Sequence, residues 1–160
     1  MTEDARFEDG GEQPLRLKAL DVEDISVLSA LVQDAIFPAK EMVWKQAERR
    51  FAILLNRFRW EDVPNASKRS RPVERVQAVL VIEDVMAVQS QGVSKAEPDM
   101  VLSLLSVAFE PGEDGTGHVL LTFAGDGVIR LAVEALEVVL RDVTRPYVAP
   151  SRKVPDHGDD

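Results

Sequence analysis

Arg57 and Arg59 stand two residues apart in a segment, Arg50 to Trp60, whose alternation of side chains reads as a β-strand. On a strand, residues two apart share a face, so both guanidinium groups belong to one side while Asn56, Phe58 and Trp60 belong to the other. Two guanidinium groups converging on one point suit a carboxylate or a phosphate, because each can grip such a group through two parallel N–H···O bonds. Lys68, Arg69 and Arg71 follow in a polar stretch, close enough in sequence to fold over the same anion. These five residues are the candidate ligand-binding site. The competing reading is that the arginines pair with the chain's own carboxylates or stand in water, where exposed charges contribute little.

Other residue types capable of chemistry are sparse. Trp44, Phe51, Phe58 and Trp60 beside those cations resemble the stacking platform of a single-strand nucleic-acid binder. Aromatics at such positions are more often core, no RNA-binding signature accompanies them, and the net charge of −9 opposes a polyanion, so nucleic acid is not the expected partner. His118 is the one histidine inside the expected fold. As a general base it would need an orienting carboxylate, for which Glu110, Glu113 and Asp114 are the candidates across a loop. The same three carboxylates lack the regular ligand spacing of a calcium loop. The absence of cysteine excludes disulfides, thiolate metal sites and cysteine nucleophiles. There is no glycine-rich phosphate loop with its lysine, no nucleophile elbow and no paired-histidine zinc motif. No cofactor is expected.

The charge is unevenly placed. Lys40 to Arg75 holds ten basic against five acidic residues, a local +5, so the rest of the chain carries −14. A locally basic surface in an acidic protein can still bind an anion at short range. At 160 residues, 45% of them hydrophobic and 29% charged, the chain has the composition of one globular domain. No apolar run reaches the roughly 20 residues that span a bilayer, and the start of the chain lacks a basic-then-apolar leader. A cytoplasmic protein is expected.

The elements that must position these residues follow from periodicity. Residues 1–13 and 148–160, polar and acidic, read as disordered tails around a single α+β domain over 14–147. Leu15, Leu17 and Ala19 alternate with charged residues as a half-buried strand. Asp21 then caps a helix whose apolar stripe is Ile25, Leu28, Val32 and Ala35, and Pro38 closes it. A two-residue period predicts strands over 41–45, 50–58, 74–82, 85–90, 101–109, 118–124 and 127–133. The loop from Glu61 to Pro72 is the longest connection. Around Gly125, Asp126 and Gly127, a three-residue turn sets Phe123 opposite Ile129 and puts the large apolar side chains on one face, with Gly127 as the left-handed residue. Leu136, Val139, Leu140 and Val143 are spaced as the inner stripe of a final helix. Seven or eight mostly antiparallel strands between an N-terminal and a C-terminal helix match the element order of a pleckstrin-homology-like barrel. A pseudo-duplicated α+β sandwich is the alternative, since 15–35 and 127–143 each read as a strand running into a helix.

Three strings carry a family likeness: Leu15 to Asp21 (LRLKALD), Arg50-Phe51-Ala52 with Asn56 to Glu61 (NRFRWE), and Leu121 to Gly127 (LTFAGDG) with Ile129-Arg130-Leu131. In these the chain resembles the bacterial domain-of-unknown-function family numbered 2948, over about residues 14–147. The resemblance implies a cytoplasmic bacterial protein and carries over no catalytic residues. The residues favour a non-enzymatic binding or interaction domain using the basic surface for a small anionic ligand or an acidic protein partner. A small enzyme acting on an anionic metabolite is the alternative, and a deep pocket joining Arg57 and Arg59 to His118 would distinguish it. Oligomeric state and strand order are not legible at this level.

Overall fold

A two-residue period runs through most of the chain. In the computed structural model, which describes residues 13–68, 72–93 and 97–148, it resolves into ten antiparallel strands and two helices. In chain order these are β1 (Arg16–Ala19), α1 (Val22–Leu31), β2 (Ala35–Pro38), β3 (Met42–Lys45), β4 (Arg50–Phe58), α2 (Val63–Lys68), β5 (Arg75–Ile82), β6 (Val85–Gln91), β7 (Val101–Pro111), β8 (Gly117–Phe123), β9 (Gly127–Val133) and β10 (Val138–Asp142). The strands form one open sheet in the order β1-β10-β5-β4-β2-β7-β8-β9-β6, and β3 adds to β4 beside β2. The tails expected over 1–13 and 148–160 lie outside the described residues except for positions 13 and 148.

Connection lengths show how this sheet is shaped. β5 and β6 are six places apart in the order, which in a flat sheet is about 29 Å at ~4.8 Å per strand. Only Glu83 and Asp84 join them, and three Cα steps reach about 10 Å. β9 and β10 are also six places apart and are joined by residues 134–137 alone. The sheet must therefore curl until its two halves face each other. Hydrogen bonds where these connections cross fix the curl: Glu83 N–H to Glu137 O at 3.0 Å, Glu134 N–H to Asp84 O at 3.0 Å and Val85 N–H to Arg49 O at 2.8 Å. The core lies between the halves, with Phe51, Ile53 and Leu55 of β4, Ala78, Leu80 and Ile82 of β5, and Val119, Leu121 and Phe123 of β8 in one cluster. Burying each such side chain contributes about 1.5–3 kcal/mol. Phe37 of β2 meets Phe123 edge-on at 5.9 Å between ring centres.

The first helix starts where its sequence says. The Asp21 carboxylate accepts the Asp24 N–H at 2.8 Å, and Ile25, Leu28 and Val32 join the core as α1 packs on β1 and β7. It ends at Leu31, earlier than the stripe suggests. Asp34 turns left-handed at φ 65°, and Ala35 to Pro38 form β2. Ala35 is buried as expected, but through pairing with β7 rather than on a helix.

The expected C-terminal helix is absent. Residues 138–142 form β10, inserted between β1 and β5. The apolar spacing of Leu136, Val139, Leu140 and Val143 imitates a helix because the inward stripe of β10 is Val138, Leu140 and Asp142, and its last member is a carboxylate. With this helix gone, the second half of the expected pseudo-duplication also disappears. Among the described residues β1 and β6 each pair on one side only, so the sheet is not closed into a barrel, and β2 and β10 raise the strand count to ten.

The β8–β9 turn does use three residues, but they are Ala124, Gly125 and Asp126. Phe123 pairs with Gly127, and Leu121 with Ile129. The register moves by two residues, so every side chain keeps its face. Positive φ falls on Gly125 (84°) and Asp126 (71°), not on Gly127. What Gly127 supplies is space: a Cβ there would lie 2.9 Å from the Val93 Cγ2 methyl and 3.3 Å from the Gly92 carbonyl oxygen.

Candidate functional site

The inward face of β4 runs Phe51, Ile53, Leu55 and then Arg57, and that of β10 runs Val138, Leu140 and then Asp142. β5 lies between them, with Val76 opposite Arg57 and Ala78 opposite Asp142, so the ion pair crosses diagonally over one strand at the end of the core. Arg57 is 0% exposed, which makes its hydrogen bonding decisive. Its Nε donates to Asp142 Oδ1 at 3.0 Å, and one terminal nitrogen donates to Asp142 Oδ2 at 3.1 Å and Glu61 Oε2 at 2.8 Å. The other donates to Glu61 Oε1 at 2.9 Å and the Phe58 carbonyl at 3.0 Å. All five N–H donors are therefore used. Asp142 Oδ2 also accepts the Leu15 N–H at 2.9 Å, which fixes the entry to β1. Burial, the largest influence on Glu61, raises its pKa, but hydrogen bonding and charge attraction from Arg57 outweigh it and leave the carboxyl below its ordinary range. Burial would lower the Arg57 pKa, and the bonds to Glu61 and Asp142 reverse this and raise it.

Arg59 makes a second internal knot. It is 3% exposed, bonds Glu74, and lies 3.4 Å from Asp62 and 4.0 Å from Glu61. Asp62 and Glu61 are held in place by a single 3-10 turn, Trp60–Asp62, closed by the Asp62 N–H to the Arg59 carbonyl. Lys68 is exposed in the last turn of α2, while Arg69 and Arg71 lie outside the described residues. The Glu61–Pro72 loop thus contains a 3-10 turn and a helix, and Arg57 and Arg59 are buried whereas Lys68 is exposed. With every donor of Arg57 engaged, an incoming anion would have to displace an internal carboxylate.

Three of the four aromatics, Trp60 excepted, take the core reading. Phe51 and Phe58 are buried, Trp44 packs against the core, and the Trp60 indole N–H donates to the Gln33 carbonyl at 2.8 Å. The Arg75 guanidinium covers the Phe58 ring at 4.0 Å, bonds Asn56 and has its pKa lowered by burial, with Tyr147 opposing. Tyr147 pairs backbone to backbone with Arg75 and accepts a hydrogen bond from Asn56.

Glu110 of β7 does come opposite His118 of β8, but Arg130 stands with them: its guanidinium is 3.5 Å from Glu110 and 3.4 Å from His118 Nδ1. A guanidinium can only donate, so Nδ1 is the accepting side of this contact. Among the described residues no group of three His, Asp or Glu side chains is placed to hold a metal ion.

Sequence reading missed a different set of cations. Arg16 of β1 and Arg141 of β10 are directly opposed across the strand pair, both exposed, and neither has an ion pair among the described residues. Lys18 is on the same outer face, 3.6 Å from Glu137. Following the register inward, Arg141 leads to Val79 and Leu54, and Lys18 to Val139, Val81 and Ala52, so a cationic margin borders a half-exposed apolar strip. A groove of about 330 Å³ lined by Ile36, Pro38, Leu54, Asn56 and Val101 continues that strip. Arg16 was visible as an outward residue of its strand. Its neighbour is hidden in the sequence because the spacing of Leu136, Val139, Leu140 and Val143 reads as a helix.

No helix among the described residues is long and apolar enough to cross a membrane. No curated protein and no solved structure matches the chain. One family model matches over residues 15–157, from the entry to β1 to beyond the last strand, and it covers the buried arginine network and the exposed cationic margin alike. The chain belongs to the family described as "Protein of unknown function (DUF2948)".

Proposed function

We propose that this protein is a non-enzymatic binding domain whose outer sheet face, with Arg16, Arg141 and Lys18 at its margin, receives an acidic surface of a partner protein. The observation that carries this reading is the Arg16–Arg141 pair. Like charges set opposite each other on neighbouring strands destabilise a sheet, and among the described residues no carboxylate relieves them. A carboxylate lying between them would, and the adjoining valines and Leu54 give such a partner apolar area to cover. The contact of His118 with a guanidinium, rather than with an orienting carboxylate alone, also favours binding over acid–base catalysis.

The test uses a synthetic peptide of alternating glutamate and leucine, with tripolyphosphate as the small-anion arm, titrated calorimetrically into the full chain. The peptide is expected to bind, to weaken at least tenfold against the Arg16→Gln, Arg141→Gln double variant, and to weaken with added salt. The variant should melt no lower than the parent. Tripolyphosphate binding as tightly as the peptide would assign the site to a small anion. Peptide binding that ignores both arginines would overturn the reading.

A further inference from the structure

Among the described residues, β1, β3 and β6 each pair on one side only. The first two are protected in the usual way. Each has four residues, and each carries cations, Arg16 and Lys18 on β1 and Lys45 on β3. β6 has neither safeguard: its seven residues contain no charge and no proline. Arg49 closes the start of this edge, its carbonyl accepting the Val85 N–H at 2.8 Å and its guanidinium meeting the Met86 sulfur, while beyond Met86 the residues Ala87, Gln89, Ser90 and Gln91 are exposed and no described strand pairs with them on that side. Its single irregularity lies between Val85 and Ala87, and from there to Gln91 it pairs regularly with β9. A regular, uncovered edge presents alternating backbone N–H and C=O groups, which is the chemistry that accepts an extended peptide as an added strand.

The charges around the edge identify the occupant, for the cation that meets Met86, Arg49, is already paired with Glu134, whereas among the described residues two aspartates are not paired. Asp84 immediately precedes the strand. Asp126 marks the other end, where a Cβ on Gly92 would sit 3.1 Å from the Asp126 carbonyl oxygen. Neither carboxylate has an ion pair among the described residues. A second copy of this chain is a poor fit, since each copy carries −9 and the paired stretch would supply no cation to either aspartate. We propose that β6 is a strand-addition site for an extended segment of a partner protein, uncharged and β-prone in its centre and carrying Lys or Arg at both ends.

The probe is a seven-residue peptide of alternating threonine and valine between terminal lysines, added to the full chain. Hydrogen exchange should show saturable protection confined to residues 85–91, and a glutamate-ended peptide of the same centre should bind at least tenfold more weakly. The Asp84→Asn, Asp126→Asn double variant should weaken the lysine-ended peptide about fivefold or more. Asparagine tolerates the left-handed backbone at both positions (φ 58° and 71°), so the fold is kept. Absence of binding, protection elsewhere, or indifference to the aspartates would overturn the proposal. So would a concentration-dependent dimer that protects 85–91 without peptide, because the second copy would then be the occupant.

Discussion

Arg57 is worth following at the scale of the single side chain, because its burial changes what its charge is for. A guanidinium with no exposed surface and five satisfied donors serves as a structural tie between β4, β10, the Trp60–Asp62 turn and the entry to β1. Replacing one partner of such a pair costs far more than an exposed charge does, because the remaining carboxylates lose their compensation. Arg57→Met is expected to lose about 3–5 kcal/mol of stability, against no loss for Arg141→Gln, which relieves a like-charge pair on the surface. Arg57→Lys should recover only part, since one ammonium cannot reproduce two bidentate contacts. Urea denaturation of the three variants checks the order, and equal midpoints for Arg57→Met and Arg141→Gln would contradict it.

Among the elements, the β8–β9 hairpin separates two reasons for a glycine. Gly125 has φ 84° and open space beyond its Cα, so Gly125→Ala is strained by backbone conformation alone, about 1–2 kcal/mol. Gly127 has no positive φ, and its Cβ would press on Val93 and Gly92. Gly127→Ala should therefore cost about 1 kcal/mol or more as overpacking, and Val93→Ala in the same chain should return part of it. No such rescue is expected for Gly125→Ala. Two thermodynamic cycles, sharing the parent and Val93→Ala and so needing six chains, decide. Coupling between positions 125 and 93 as large as that between 127 and 93 would place the strain wrongly.

For the whole molecule, stability depends on contacts between distant parts of the chain, and acid should reveal one of them. Glu61 has a folded pKa below its ordinary value of about 4.3. The stability it contributes is thus fully present above that ordinary value and is lost as pH falls through the depressed one. Arg57, with its pKa raised, stays charged throughout this range and adds no pH dependence of its own. The urea midpoint is expected to hold from about pH 7 to 5 and to fall below about pH 4, with a shallower fall in Glu61→Gln. A fall of equal steepness in that variant would remove Glu61 from the acid response.

Local pattern alone was enough for much of this protein. The strands β4 to β9 and the Asp21 cap follow from alternation and capping over a few residues, and those signals act at short range. The remainder was decided by pairing across the chain. β2 and β10 became strands because β7, β1 and β5 supply their hydrogen-bond partners, and four or five residues cannot announce partners that far away. The inward Asp142 broke the apolar stripe of β10, and only its contact with Arg57, 85 residues earlier, explains an acid in that place. The same contact holds Arg57 in the interior, and Glu74 and Asp62 hold Arg59 there. The β1–β10 register sets Arg16 and Arg141, unremarkable in sequence, facing each other on the outside.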